Sequence, residues 1–361
     1  MKQNKVNSGK RENLLYEIEQ LPVFQNRMYD SQEEAISCPK GDIRLVEDLE
    51  TGLVYNASFK PELVRYDHHY QNEQAGSAAF RSHLETVMQI ISSSMGRKSI
   101  IEVGCGKGYF LEMLLADGFD AWGFDPTYEG TNSRAIKENF SPRLGIQADG
   151  LVLRHVLEHI QDPVEFLMEL KDANGGGGKI YIEVPCFDWI CEHRAWFDIF
   201  YEHVNYFRIS DFHRTFDVVY ESGVLFGGQY LYVVADLSSI KYPELDDNSR
   251  ARIPDNFLSS LTDSYGLEPG DEVVVWGGAS KGVIFSLLKQ RAGLDIRTII
   301  DINPAKHGKY LPASGLQVQS PDDVLPRLDS KCKVLVMNSN YLQEIKTMTA
   351  NRFEYVSINR G

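Results

Sequence analysis

The spacing of apolar and polar positions changes several times along the chain, and each change marks an element. Residues 78–94, AAFRSHLETVMQIISSS, place apolar side chains three and four apart, which predicts an amphipathic helix. Short apolar runs and helical stretches then alternate. KSIIEVGCGKG is an apolar run closed by a glycine turn, FLEMLLADG a helix ending on glycine, and AWGFDPTY a strand with a polar tip. GLVLRHVLEHI passes from strand to helix, DPVEFLMELKDA is helical, and GGKIYIEVPC is a strand. Such a βαβ series predicts a parallel sheet covered on both faces. LFGGQYLYVVAD reads as a closing antiparallel hairpin or strand. Beyond a polar stretch, EVVVWGGASKGVIFSLLKQ starts a second strand–glycine–helix unit, followed by the short apolar strands of RTIIDINP, KVLVMNSN and EYVSINR.

Upstream the periodicity is weak. Residues 13–85 predict short helices and one hairpin, with KGDIRLVED and GLVYNASF as strands around Leu49-Glu50-Thr51-Gly52. The fold class is therefore α/β, in four parts: an N-terminal region over 1–85, a main α/β domain over 86–236, a linker over 237–268 and a smaller α/β domain over 269–361.

Composition narrows the function classes. The chain has 361 residues, and 37 Lys and Arg against 51 Asp and Glu leave a formal net charge of −14. That balance opposes binding to nucleic acid or an anionic membrane, both of which need a basic field. The five cysteines, at 38, 105, 186, 191 and 332, lack Cys-x-x-Cys spacing, so neither a disulfide framework nor a zinc module is expected. With no spanning apolar run and no secretory leader, a cytoplasmic location is expected.

The first candidate site is Glu102-Val103-Gly104-Cys105-Gly106-Lys107-Gly108, between a predicted strand and a predicted helix. Glycine lets backbone pass close to a ligand. The spacing is G-x-G-x-G, whereas a dinucleotide loop uses G-x-G-x-x-G to seat a pyrophosphate. Glu102 precedes the first glycine, and an acid there suits a cation such as a sulfonium or an α-ammonium group. Asp125, at the next strand tip about twenty residues on, is placed to accept hydrogen bonds from ribose hydroxyls.

IIEVGCGKGYFLEMLLADGFDAWGFDP resembles the first motif of the class I S-adenosylmethionine-dependent methyltransferases, and RHVLEHIQDPVEFL resembles the segment after their fourth strand. The resemblance implies a Rossmann-like methyltransferase core with S-adenosylmethionine as cofactor. Glu102, Gly104, Cys105, Gly106, Asp125 and Pro126 would line that cofactor, with Arg154, His155 and Val156 near its methionine or adenine end. Only 28 residues separate Asp125 from Arg154, so no adenine-contacting acid is assigned.

His155-Val156-Leu157-Glu158-His159 also matches H-x-x-E-H, a zinc-protease pattern. Its position at a strand exit of a parallel sheet argues against that chemistry, and no metal is expected. His193 or His203 would be the nominees for a third ligand. The histidines are read instead as facing the cofactor and the substrate cleft, or as paired structurally with Glu158.

VPCFDWICEHRAWFDIFYEHVNYFRISDF, after the fifth strand, is dense in aromatics and carries Glu202 and His203. An acid beside a histidine suits a general base, and an aromatic core segment with solvated charges is the bland alternative. From about residue 21 onward the chain resembles a narrower family, the nucleotide-sugar C-methyltransferases acting on keto-deoxysugars. LPVFQNRMYDSQEEA, LVRYDHHYQNEQAGS, IFYEHVNYF, VVVWGGASKGVIFSLLK and IDINPAKHGKYLPASG carry this resemblance. It implies Glu202 and His203 as the base pair, His159 as a cleft histidine and Tyr70 as a catalytic tyrosine. Tyr66 and Tyr206 would touch substrate, and residues 1–85 would act as a substrate lid. The chain departs from the family in lacking its four-cysteine zinc module and in having Phe200 where a tyrosine is usual.

The second glycine loop, Trp276 to Gly282, has Asp301 at the next strand tip. Gly277, Lys281 and Asp301 would face the substrate's nucleotide by the resemblance, and a purely structural loop is the equal alternative. The expected activity is carbon methylation of a nucleotide-linked keto-sugar. The alternatives are O- or N-methylation of a small metabolite and, less favoured, a nicotinamide oxidoreductase.

Overall fold

The computed structural model describes residues 11–64, 76–267 and 273–358. Among them lie three sheets. The chain opens with β1 (Glu12–Pro22), followed by β2 (Lys40–Asp48) and β3 (Val54–Asn56), all antiparallel neighbours. The expected hairpin is β2–β3, but β1 stands where short helices were expected. Its pairing with β2 shifts register between Leu14 and Tyr16 and again between Ile18 and Leu21. Each irregularity breaks the period of two by which a strand is read.

The main sheet holds β4 (Ser99–Val103), β5 (Asp120–Phe124), β6 (Ala135–Ile136), β7 (Gly150–Arg154) and β8 (Lys179–Pro185). These five are parallel, in the order β8-β7-β4-β5-β6. A two-residue strand, β9 (Asn205–Tyr206), leaves this domain to pair with β3 and complete the first sheet. The hairpin β10 (Val219–Leu225) and β11 (Tyr230–Asp236) returns, with β11 antiparallel to β8. Seven strands result, in the order β10-β11-β8-β7-β4-β5-β6. The chain runs from β4 outward to β5 and β6, then back to β7 on the other side. The reversal opens a crevice at the carboxyl ends of β4 and β7, where ligands of such sheets bind.

The third sheet is parallel throughout, in the order β14-β13-β12-β15-β16. Its strands are β12 (Val273–Trp276), β13 (Thr298–Ile300), β14 (Val318–Gln319), β15 (Lys333–Val336) and β16 (Glu354–Ser357). The fold is thus a Rossmann-like α/β architecture with additional sheets. No helix among the described residues is long and apolar enough to cross a membrane.

The stretch after β11, expected as a polar linker, is packed. Arg208, nearly fully buried, donates to the carbonyls of Ser249 (2.7 Å) and Gly52 (3.1 Å) and to Asp211 (2.9 Å). The buried carboxylate of Glu47 accepts from Arg250 and from the Ala251 N–H, both at 2.7 Å. Trp196, without exposed surface, stacks on Phe285 of the helix Lys281–Arg291 at 5.7 Å between centroids.

That helix also shows why its first turn needs glycine. A Cβ on Gly282 would stand 1.7 Å from the Gly277 carbonyl oxygen. Gly282→Ala is expected to lower unfolding stability by about 1–3 kcal/mol, the usual cost of overpacking. Denaturant unfolding is the measurement, and an unchanged midpoint would contradict this packing.

Candidate functional site

The first glycine loop leaves β4 with Gly104 at φ +78° and Gly106 at φ +55°, both in the left-handed region. The N–H of Gly104 donates to the Phe124 carbonyl at 2.8 Å, drawing the loop over the tip of β5. Gly104 also admits Val156, whose Cγ2 lies 2.4 Å from where a Cβ would be. Gly106 faces open space. Asp125 accepts from the Gly106 N–H at 2.8 Å and, with its other oxygen, from the N–H and hydroxyl of Thr127 at 2.7 and 2.6 Å. The acid at the second strand tip therefore fixes the loop as well as facing its open side. Within the loop Cys105 is buried, and Pro126 after the second strand tip is exposed.

Glu102 is buried, and its Oε2 has no hydrogen-bond partner. Burial, reinforced by the charge of Asp125 and opposed by Arg154, pushes its carboxyl up to about 7. A buried acid poised between charge states, with one oxygen unused, can receive a cationic ligand.

Across the crevice, the ends of β7 and β8 meet on Glu183. This carboxylate has no exposed surface. It accepts from the Tyr181 hydroxyl at 2.9 Å and meets His83 at 2.8 Å, His155 at 3.1 Å and Arg154 at 3.4 Å. Burial would raise its pKa, but Arg154 and the two histidines hold it well below the usual range. His155 is held with positive φ (+53°) beneath this network. Burial opposes its charge, yet contacts with Glu158 and Glu183 raise it to about 9.

The H-x-x-E-H segment is therefore divided between two neighbourhoods. His155 turns towards Glu183, while Glu158 and His159, on the short turn Leu157–His159, meet His203. The ligating atoms of Glu158, His159 and His203 all lie within 4.8 Å of one another. The rings of His159 and His203 stand edge to face at 4.9 Å between centroids, and Phe200 packs on His203 at 4.9 Å. Burial and the neighbouring His159 push His203 down to about 3, with Glu158 opposing, so its imidazole is neutral at physiological pH.

Several expected roles are redistributed. The Glu202 carboxylate turns away from His203 and accepts from the Gln25 N–H at 3.4 Å. The acid facing His203 is Glu158, and Glu202 contributes its backbone carbonyl, which receives His159 Nδ1–H at 2.9 Å. The Tyr206 hydroxyl is spent on the Phe200 backbone, accepting its N–H and donating to its carbonyl, both at 2.9 Å, so it braces the loop rather than reaching substrate. His193 stacks on Trp189, apart from the cluster. Tyr66 and Tyr70 lie outside the described residues. Sequence reasoning missed Glu183 as the organiser, because an acid inside an apolar strand carries no motif.

The second glycine loop is anchored internally. Lys281, expected to face a substrate nucleotide, pairs with Asp198 at 2.8 Å and donates to Gln229 at 2.7 Å. Asp301 accepts from the Gly278 N–H at 2.9 Å and from Lys306 at 3.0 Å, and Gly277 (φ +123°) starts the turn between them. Ser280 meets Gln25 and Asn26 of the N-terminal region, joining this loop to the segment that holds Glu202.

Residues 67–218 match the family model for a methyltransferase domain. Among curated proteins, the chain is similar to the tRNA U34 carboxymethyltransferase of Campylobacter concisus, 27% identical over 110 residues that cover 26% of this chain and 38% of that protein. It is 32% identical to the enzyme of the same name from Alcanivorax borkumensis, over 26% of this chain and 34% of that one. The chain thus spans little more than a third of the length of these relatives. Among solved structures, the 1,6-didemethyltoxoflavin-N1-methyltransferase of Burkholderia thailandensis aligns with 13% identity and TM-score 0.35, covering 51% of this chain and 95% of that one.

The Glu183 network has a measurable signature. Glu183→Gln removes one of the two charges that raise His155, so the His155 pKa is expected to fall from about 9 towards its ordinary value, read by NMR titration. In the native protein the raised His155 contributes stability that is full below pH ~6.5 and lost as pH rises through about 9. That loss should shrink in Glu183→Gln, where the Glu158 contact alone still raises His155.

Proposed function

We propose that this chain, whose residues 67–218 carry a methyltransferase domain, transfers a methyl group from S-adenosylmethionine to a small-molecule acceptor. The observation that carries the reading is Glu102, buried with an unused oxygen at the foot of the G-x-G-x-G loop. The residues fit the cofactor. Glu102 would receive the α-ammonium end, Asp125 the ribose hydroxyls, and the open side of Gly106 the body of the molecule. When bound, S-adenosylmethionine supplies a methyl group made electrophilic by a positive sulfur.

The acceptor reading is a nucleotide-linked keto-sugar methylated at carbon. His203, neutral at physiological pH, would take the proton from the carbon beside the keto group, and the resulting enolate carbon would be the nucleophile. His159, held by the Glu202 carbonyl, would orient the acceptor. Positioning supplies much of the acceleration. A base matched to the working pH contributes typically ~10²–10⁴-fold, and His203, pushed down to about 3, would supply the lower part of that range. The half-buried His159–His203 pair suits an acceptor whose proton must be removed, which supports O-methylation nearly as well. The similar curated proteins are named for tRNA, but a net charge of −14 opposes a polyanion, so RNA is not proposed as substrate.

Two measurements test this reading. S-adenosylmethionine affinity should weaken as pH falls through about 7, because protonated Glu102 cannot pair with a cation. Glu102→Gln should weaken it by about 10- to 100-fold, the worth of a charged hydrogen bond, and flatten the pH profile. In a mass-spectrometric screen of nucleotide keto-sugars, His203→Asn should retain cofactor binding and lose the +14 product. Full turnover by that variant would end the role given to His203.

A further inference from the structure

We propose that Glu158, His159 and His203 form a binding site for a divalent transition-metal ion such as Zn²⁺ or Co²⁺. Three observations converge on it. The ligand atoms already lie within 4.8 Å of one another. Donors at 2.0–2.2 Å from one tetrahedral ion stand about 3.4 Å apart, so modest side-chain rotation closes the set.

The second observation is Glu158 itself. Its residue is 1% exposed and neither carboxylate oxygen makes a hydrogen bond. His155 Nδ1 stands 3.4 Å from Oε1 without hydrogen-bonding geometry. Oε1 thus has an ion pair but no hydrogen bond and Oε2 has neither, and a buried carboxylate left so is costly, which a metal ion would answer.

The third is the tautomer of His159. A carbonyl oxygen only accepts, so Nδ1 must carry the proton given to Glu202, which leaves the lone pair on Nε2. A metal-ligating histidine is typically fixed in this way, by donating its other N–H to a carbonyl or carboxylate. Two imidazoles and one carboxylate suit zinc, cobalt or iron(II) rather than magnesium or calcium.

The consequence for activity rests on the function proposed above. An ion and a proton contend for the same His203 lone pair, so a loaded site cannot also act as the base. Micromolar Zn²⁺ should therefore inhibit methyl transfer, and a chelator should restore it.

Binding is tested without turnover. Full-length protein titrated with Co²⁺ should take up one equivalent with visible d–d absorption of a low-symmetry site, and should lose that band in both Glu158→Gln and His203→Asn. In the unmutated protein, Zn²⁺ should shift the ¹⁵N resonances of His159 Nε2 and a His203 nitrogen, an observation that needs no variant to fold. Absence of the band and of both shifts would overturn the site, as would one equivalent retained by both variants. Co²⁺ bound as expected together with faster methyl transfer would leave the site standing and overturn the base role of His203.

Discussion

The architecture of the crevice depends on one buried anion. Glu183 sits inside β8 with no exposed surface, and it is tolerable there only because Arg154, His155, His83 and Tyr181 converge on it. Unpaired, such a charge would cost several kcal/mol. Paired, it locks the end of β7 to β8 and ties both to the helix Ala78–Met95, which carries His83. Everything that follows β7 in the site takes its direction from that lock.

Two chemically different halves result. On the β4 side, a glycine loop, a buried acid of raised pKa and Asp125 form a cradle suited to a cationic, ribose-bearing ligand. Beyond β7, the chain turns sharply at His155 and presents Glu158 and His159 to His203. His155, at positive φ, faces Glu183, while Glu158 and His159 meet His203. The Arg154 guanidinium spans them, close above the Phe110 ring at 4.6 Å with Nη2 unsatisfied.

The outer sheets brace the loop that bears His203. Asn205 and Tyr206 pair with β3, so the N-terminal sheet grips the chain two residues after His203. Gln25 lies between Glu202 and the second glycine loop, and Lys281 reaches back to Asp198. The small α/β domain is thus joined by polar contacts to the segment beside the histidines. Its lysine charge is met within the chain by Asp198.

The sequence by itself determined the α/β class, the glycine loop and its two acids, and the second α/β unit. These are short-range signals: apolar periodicity, glycine where backbone must turn, and an acid at a strand tip. It also nominated His159 and His203, whose rings the fold brings edge to face. Only the tertiary structure decided which acid faces His203, since Glu202 is adjacent in sequence yet its carboxylate turns to Gln25, while Glu158 arrives from another strand end. The same is true of β1, whose register shifts hide its alternation, and of Lys281, whose partner lies 83 positions away. Neighbourhood in the chain fixes what a residue can be. Packing fixes what it touches, because a buried charge must find its partner wherever the fold supplies one.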